Sequence, residues 1–342
     1  MSSNSESQKL YTLKLDTIWV HIAHSSNLEM TLQTLPLEIL CMIIRFIGSD
    51  HLRKQEACCL LVCKWWYEVA KPLLLEDLEL SATQLVHAPD HVYPKLRAFL
   101  RQLIVDVHGP RDWPAEQEIA KLNAILTSLV EGNHLASFTL HVRSQFDSEN
   151  PLAPRQQYIS TWNPTQFLNV LGTSKLSHLV IDTYGSEMSS AIHICPQLAL
   201  QIPSLRSVRV RMCRICPQIL EFPQGDSAIP SQIESLLINL SLQDVDRFSA
   251  GFSHHCTEPR RALDLYNEMI TTGTEIANKT PSLKVFKILC HKHPSSNTMT
   301  MNCITGVKTI LAGAWDWGDD GVSEPEAVSP AHFSSTDSDS SS

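Results

Sequence analysis

Apolar residues near the start of the chain recur at helical spacing. Five aliphatic side chains recur at spacings of three and four residues, which predicts a helix with one broad apolar stripe. These five are Ile39, Leu40, Ile43, Ile44 and Ile47. We expect the helix to begin at Pro36, because the missing N–H of a proline costs nothing in a first turn, and to end at Gly48.

Two shorter helices are predicted to follow, over residues 56–62 and 65–70. The second is expected to stop before Pro72, because the residue preceding a proline is biased away from helical backbone. Together the three helices would form a small module over residues 31–75. Such a module carries more apolar surface than it can bury, which indicates that a partner protein covers part of it.

A second pattern, Leu-x-x-Leu-x-Leu with aliphatic and Phe variants, recurs from residue 75 onward. Each run ends in an alternation of apolar and polar residues, which is typical of a strand with one buried face. The seven runs cover residues 75–80, 100–105, 135–140, 176–181, 205–210, 233–238 and 283–288.

Amphipathic helical patterns lie between several of these runs, over residues 116–130, 164–171 and 262–276. A strand followed by a helix, repeated along the chain, predicts an irregular leucine-rich-repeat-like α/β solenoid over residues 76–312. The expected fold class is therefore α+β with repeats, behind an N-terminal three-helix module. Because the runs are unevenly spaced, we expect loop insertions, at residues 144–163, 184–197 and 213–232.

The two ends of the chain are predicted to lie outside the folded part. Residues 1–30 are interpreted as a flexible leader, and residues 313–342 as a disordered tail, because an acidic, Ser-rich sequence has few apolar side chains to bury. The 342 residues carry a net charge of −9, which argues against nucleic-acid binding. With no signal peptide and no membrane-length apolar stretch in the sequence, we expect no membrane contact and an intracellular location, in the cytoplasm or nucleus.

Catalytic motifs are missing from the sequence. It contains no phosphate-binding glycine loop, no nucleophile elbow and no paired-histidine zinc helix. We therefore predict no catalytic residue, no cofactor and a chain that is not an enzyme. A metal-binding or hydrolytic enzyme built on the repeats is the competing hypothesis.

Two groups of cysteines and histidines allow a metal interpretation. They are Cys213 and Cys216 with His254, His255 or Cys256, and, separately, Cys290 with His291 and His293. A structural zinc site needs four ligands, usually in two regular pairs, and the sequence offers only the Cys-x-x-Cys pair at 213–216. We therefore interpret these residues as ordinary reduced thiols and polar loop side chains, and predict no metal site.

The first module resembles the F-box. The resemblance is carried by Leu35-Pro36-x-Glu38-Ile39-Leu40 at its start and by Val62-Cys63-Lys64-Trp65-Trp66 near its end. It implies binding to the adaptor subunit of an SCF-type ligase and, through the adaptor, to the cullin. The residues assigned to adaptor binding are Leu35, Pro36, Ile39, Leu40, Ile43, Ile44, Val62, Cys63 and Trp66. The competing interpretation of Trp66 is that it belongs to the module's own core and does not contact the adaptor.

An F-box followed by degenerate leucine-rich repeats is similar to the F-box proteins of filamentous fungi. This resemblance implies a substrate-recognition subunit of a cullin ubiquitin ligase, with an unidentified protein substrate bound by the repeats. The alternative is an F-box protein that binds the adaptor without delivering a substrate. Candidate positions on the concave face, which would equally suit plain solvated side chains, are Arg101, Thr139, Arg209, Asn239 and Lys287.

Overall fold

The computed structural model describes residues 36–47, 64–108, 115–131, 135–143, 164–171, 175–183, 193–212, 214–222, 231–240, 252–253, 256, 260–291, 298–311 and 322–323. The α-helices in these ranges are α1 (Leu37–Ile47), α2 (Lys64–Glu76), α3 (Ala82–Val86), α4 (Tyr93–Phe99), α5 (Ala115–Val130), α6 (Thr165–Leu171), α7 (Cys195–Gln201) and α8 (Ala262–Lys279). The strands are β1 (Asp77–Ser81), β2 (Gln102–His108), β3 (Ser137–Arg143), β4 (His178–Asp182), β5 (Ser207–Arg211), β6 (Ser235–Asn239), β7 (Phe252–Ser253), β8 (Arg260–Arg261), β9 (Val285–His291), β10 (Thr298–Asn302), β11 (Lys308–Leu311) and β12 (Val322–Ser323).

Ten of these strands form one sheet, in the order β1-β2-β3-β4-β5-β6-β9-β10-β11-β12. Strands β1 to β6 and β9 are parallel and lie side by side in the order in which the chain visits them. Strands β10, β11 and β12 continue the sheet in antiparallel fashion, while β7 and β8 pair separately. The expectation of a mixed α/β fold is therefore confirmed.

The seven parallel strands share one register. The fourth residue of each leucine run lies opposite the fourth residue of the neighbouring run, and the sixth lies opposite the sixth. The fourth-position column is Leu78, Leu103, Phe138, Leu179, Val208, Leu236 and Phe286. From β2 onward both columns are buried in one core, so the prediction of a strand with one buried face is confirmed for β2 to β5. It is wrong for β6 and β9, which are buried on both faces, since Leu237 and Lys287 are also buried.

The same ladder begins one residue before each strand. The second residue of each run from the second run onward donates its N–H to the carbonyl oxygen of the second residue in the preceding run, at 2.7–2.9 Å. These hydrogen bonds satisfy backbone groups that would otherwise be left at the edge of the core. They also fix the position along the strand direction at which each connection enters the sheet.

Helices cover the buried face of the sheet. The predicted helices over 116–130, 164–171 and 262–276 are present as α5, α6 and α8. Two predicted loop insertions are partly wrong, because α7 begins inside 184–197 and a 3-10 helix, Pro217–Leu220, lies inside 213–232. Both elements are too short for a helical period to be read from their sequence. The third predicted insertion, 144–163, lies outside the described residues.

Helix α2 runs through Pro72 instead of ending before it, so this prediction is wrong. A proline inside a helix removes one backbone hydrogen bond and strains the preceding turn. The apolar residues that follow offset this cost, because Leu73 and Leu74 pack against the core between α1 and α2.

The predicted boundary after residue 75 falls inside the last turn of α2. Leu75 already packs against the core of the sheet, and α2 ends at Glu76, directly before β1 begins at Asp77. The helical module and the sheet are therefore joined without a linker.

The predicted disordered tail is described at two residues. Val322–Ser323 pair with β11, so the prediction of disorder is wrong at these positions. The rest of 313–342, the predicted leader 1–30 and the predicted helix over 56–62 lie outside the described residues. None of the described helices combines the length and hydropathy that a bilayer span needs.

We expect substitutions on the two faces of β3 to differ sharply in cost. Phe138 is fully buried, with its ring centroid 4.8 Å from that of Phe167, whereas Thr139 faces the other way and is half-buried. Phe138→Ala should lower the free energy of unfolding by about 3–5 kcal/mol. Thr139→Ala should change it by less than about 1 kcal/mol in denaturant melts. Equal costs would contradict the assignment of the two faces.

Candidate functional site

Helices α1 and α2 pack against each other around a small core of their own. Leu40 and Ile44 of α1 pack against Trp66, Tyr67 and Ala70 of α2, and all five side chains are buried. Positions 40 and 44 are one helical turn apart, so they lie on the same side of α1. This side of α1 is therefore occupied by the fold itself.

Another side of α1 is also apolar, but it faces solvent. Only Glu38 and Arg45 carry charge in this helix. Five of the nine large apolar side chains that are exposed in the described part of the chain lie on α1. Four of them, spaced by three and four residues, form what we call the α1 stripe: Ile39, Met42, Ile43 and Phe46, which are 38%, 56%, 38% and 93% exposed.

A helix that is apolar on more than one side is typical of a helix buried on more than one side. Among the residues that the structure describes, α2 covers one side of α1, with side chains packed around Leu40 and Ile44. The α1 stripe is therefore the strongest candidate for a docking surface in the described part of the chain.

The structure separates the residues predicted to bind the adaptor into three groups. Pro36, Ile39 and Ile43 are exposed. Leu40, Ile44 and Trp66 are buried in the core between α1 and α2, so in this conformation they offer no surface to a partner and we reassign them to the fold. Leu35, Val62 and Cys63 lie outside the described residues.

Met42 and Phe46 belong to the α1 stripe but were not among the predicted contacts. Their spacing from Ile39 and Ile43 places all four on one side of the helix, so the signal was present in the sequence. The periodicity alone did not reveal which apolar side of α1 would face α2.

The face of the sheet opposite the main core is the second candidate surface. The fifth residues of the leucine runs form its central column, which includes the predicted contacts Thr139, Arg209 and Lys287. Thr139 and Arg209 are half-buried, but Lys287 is only 5% exposed and Asn239, in the next column, only 7%. Arg101 is exposed just before β2. Arg101, Thr139 and Arg209 are thus the predicted positions that reach solvent most clearly.

A row of opposite charges crosses this face near the carboxyl ends of the strands. Asp106, His141, Asp182 and Arg211 occupy aligned positions on β2 to β5. Nδ1 of His141 lies 3.5 Å from Oδ1 of Asp106. Arg211 donates to both carboxylate oxygens of Asp182, with 2.7 Å from Nε to Oδ1. A bidentate pair of this kind fixes both side chains, so this part of the face is rigid.

Three thiols and one imidazole meet where the connections after β4, β5 and β6 come together. His193 and Cys195 lie at the start of α7, Cys216 directly precedes the 3-10 helix, and Cys256 lies between β7 and β8. We call these four residues the Cys3His cluster. Their nitrogen and sulfur atoms all lie within 4.8 Å of one another. Nε2 of His193 is 3.2 Å from Sγ of Cys216, and the Sγ atoms of Cys195 and Cys256 are 3.7 Å apart.

Hydrogen bonding among the three thiols polarises the cluster. Hydrogen bonds from Cys195 and then from Cys256 hold the pKa of Cys216 far below its usual range. The hydrogen bond to Cys216 correspondingly raises the pKa of Cys195. By contrast, burial alone raises the pKa of Cys303 to about 12. The pKa of Cys256 is raised to about 12, because the lowering hydrogen bond from Cys195 is outweighed by the hydrogen bond to Cys216 and by burial. Within the cluster only Cys216 is therefore stabilised as the thiolate, which is the form that binds metals.

The sequence identified only part of this cluster. Cys216 and Cys256 were named as zinc candidates, although the preferred interpretation was that no metal site exists. His193 and Cys195 were missed, and the signal that could have found them is their His-x-Cys spacing.

The other metal candidates do not join the cluster in the described part of the chain. Cys290 is buried within β9 and is not a member. Cys213, His254, His255 and His293 lie outside the described residues, as does the side chain of His291.

In comparisons with known proteins, no family model matches the chain, and no curated protein or solved structure is significantly similar to it. The resemblance to the F-box is carried by the sequence of the helical module alone.

We expect the two sides of α1 to respond differently to truncation. Leu40→Ala should lower the free energy of unfolding of the packed pair α1 and α2 by about 2–5 kcal/mol, because Leu40 is fully buried. Met42→Ala should leave it within about 0.5 kcal/mol of the parent, because Met42 is already 56% exposed. Hydrogen exchange of the α1 and α2 amides measures both effects. A large loss of protection in the Met42 variant would contradict the proposed orientation of α1.

Proposed function

We propose that this chain is a non-catalytic receptor subunit of an SCF-type cullin ubiquitin ligase. In this proposal the α1 stripe binds the adaptor subunit, and the face of the sheet opposite the main core binds a protein substrate. The observation that carries the proposal is the concentration of exposed apolar side chains on α1, within the segment that resembles the F-box.

The α1 stripe has the properties of a helix-based docking surface. Its anchors recur at positions i, i+3, i+4 and i+7, which is how an amphipathic helix contacts a hydrophobic groove. Phe46, at the end of the stripe, is 93% exposed and would contribute the largest apolar area on docking. Aromatic side chains of this kind commonly dominate the energy of an interface.

A leucine-rich-repeat-like architecture is the second part of the proposal. It is supported by parallel strands that follow one another in chain order, with one leucine run on each strand. In repeat proteins such a stack presents an extended surface on which positions from successive repeats lie side by side. The row of Asp106, His141, Asp182 and Arg211 is a fixed, mixed-charge part of that surface.

The mechanism in this proposal is proximity, with no bond made or broken by this chain. Binding of adaptor and substrate to one rigid protein would hold the substrate near the ubiquitin carrier of the assembled ligase. Tethering raises the effective concentration of a substrate lysine and makes its encounter with the carrier intramolecular. The direct junction of α2 with β1 favours this role, because it limits movement between the two binding surfaces.

Charges placed in the α1 stripe should weaken adaptor binding strongly. We expect the double variant Ile39→Asp with Ile43→Asp, made in the full chain, to bind a purified SCF adaptor at least about 30-fold more weakly, because two carboxylates would be buried without partners. Both positions are 38% exposed in the free chain, so the fold should be retained. Titration calorimetry measures the affinity.

Val307→Asp is the matched control, because Val307 is 48% exposed but lies in the turn between β10 and β11. It should bind the adaptor as the parent does. Unchanged adaptor binding by the Ile39 and Ile43 double variant would contradict the proposal.

A second experiment separates a ligase receptor from an adaptor-binding protein without substrates. Proteins captured by the parent chain, but not by a variant carrying Thr139→Glu and Arg209→Glu, are added to a reconstituted ligase. We expect ubiquitin to be transferred to at least one of them, and the transfer to require Ile39 and Ile43. Adaptor and cullin binding without any transfer would favour the alternative function.

A further inference from the structure

The Cys3His cluster has the donor set and the spacing of a closed tetrahedral metal site. Zinc binds thiolate sulfur at about 2.3 Å, so the sulfur atoms at two corners of a tetrahedral site are about 3.8 Å apart. Cys195 and Cys256 already approach this value, with 3.7 Å between their Sγ atoms. Since no two donor atoms of the cluster are more than 4.8 Å apart, one central ion reaches all four after small side-chain adjustments.

We propose that His193, Cys195, Cys216 and Cys256 form a structural Zn²⁺ site. Three soft thiolates with one imidazole favour zinc over hard cations such as Mg²⁺ or Ca²⁺. Four protein ligands leave no open position for water or substrate, which is the arrangement of structural rather than catalytic zinc. The compact donor set leaves room for a single ion, and Cys195 and Cys216 are both almost fully buried.

The surroundings of the cluster suit the charge of such a site. Zn²⁺ bound by three thiolates and a neutral imidazole carries one net negative charge. Arg214 lies beside it, with its Nη2 donating to the carbonyl oxygen of Cys256 at 3.4 Å. A guanidinium in this position compensates the charge and holds one ligand-bearing segment in place, as the groups around a metal centre commonly do.

The ligands come from three successive connections of the parallel sheet. His193 and Cys195 follow β4, Cys216 follows β5, and Cys256 follows β6 in the longest connection between parallel strands. Cys195 and Cys256 are 61 positions apart in the chain, so a shared ion would close a long loop. Zinc would thus hold α7, the 3-10 helix and the segment preceding α8 together. This role does not depend on the proposed function of the chain.

Metal analysis of the full-length protein tests the proposal. The chain is produced with zinc in the medium, purified in the presence of a reductant and washed free of loosely bound metal. We expect one zinc per chain by elemental analysis. Replacement of zinc by Co²⁺ should give the intense visible absorption of tetrahedral, thiolate-bound cobalt. Chelation should lower the melting temperature by at least about 5 °C, because the bound ion stabilises only the folded chain.

Cys216→Ser should lose the bound zinc, whereas Cys303→Ser should retain it. The two cysteines are matched, because both are 2% exposed, but only Cys216 belongs to the cluster. If Cys216→Ser does not fold, alkylation of the parent protein gives an independent measurement. Cys195, Cys216 and Cys256 should then be protected in the zinc-loaded protein and become reactive after chelation.

Three outcomes would overturn the proposal. One is a folded, reduced protein that binds neither zinc nor Co²⁺ at stoichiometric amounts. Another is zinc that remains bound after Cys216→Ser in a folded variant. The third is a disulfide between Cys195 and Cys256, found by non-reducing peptide mapping of protein from its native source, which would make the two thiols a redox pair instead of metal ligands.

Discussion

The shared register of the seven parallel strands is the constraint on which the rest of the structure depends. Side chains alternate between the two faces of a strand, so a slip of one residue would turn a complete leucine run toward solvent. The buried column that contains Phe138 and Phe286 holds the strands at matching positions along the strand direction. Connections of very different length therefore begin and end at matching positions along the strand direction. This alignment brings residues from three connections into the Cys3His cluster and sets Asp182 opposite Arg211 on the other face.

The sequence predicted the seven parallel strands and the long helices well, because both carry a clear period, whereas β7, β8 and β10 to β12 were not predicted. The run 205–210 alternates strictly at its end and forms β5, and the stripe of α5 spans several turns. Shorter elements gave no such signal. Helix α7 has seven residues, and its proline near the start is equally typical of a loop. The continuation of α2 through Pro72 was not predicted either. Packing of Leu73 and Leu74 outweighs the tendency of proline to end a helix.

The candidate sites were predicted less completely than the fold, for two physical reasons. On α1 the helical period located the apolar residues, but the choice between contact and core depends on where α2 packs. Ile39 and Ile43 thus proved exposed, while Leu40 and Ile44 proved buried. In the Cys3His cluster the ligands lie far apart in the chain, without the paired spacing that marks a zinc site in sequence. Only the fold brings His193 near Cys256.

The junction between α2 and β1 has a consequence for how this protein can evolve. Since no linker separates Glu76 from Asp77, the direction of the α1 stripe is set by the helical phase of α2. One inserted residue in α2 would rotate α1 by about 100° about the α2 axis relative to the sheet, whereas seven inserted residues would nearly restore the original direction. Length changes in this helix would therefore rotate the α1 stripe relative to the sheet, while substitutions on either surface would leave their relative orientation unchanged.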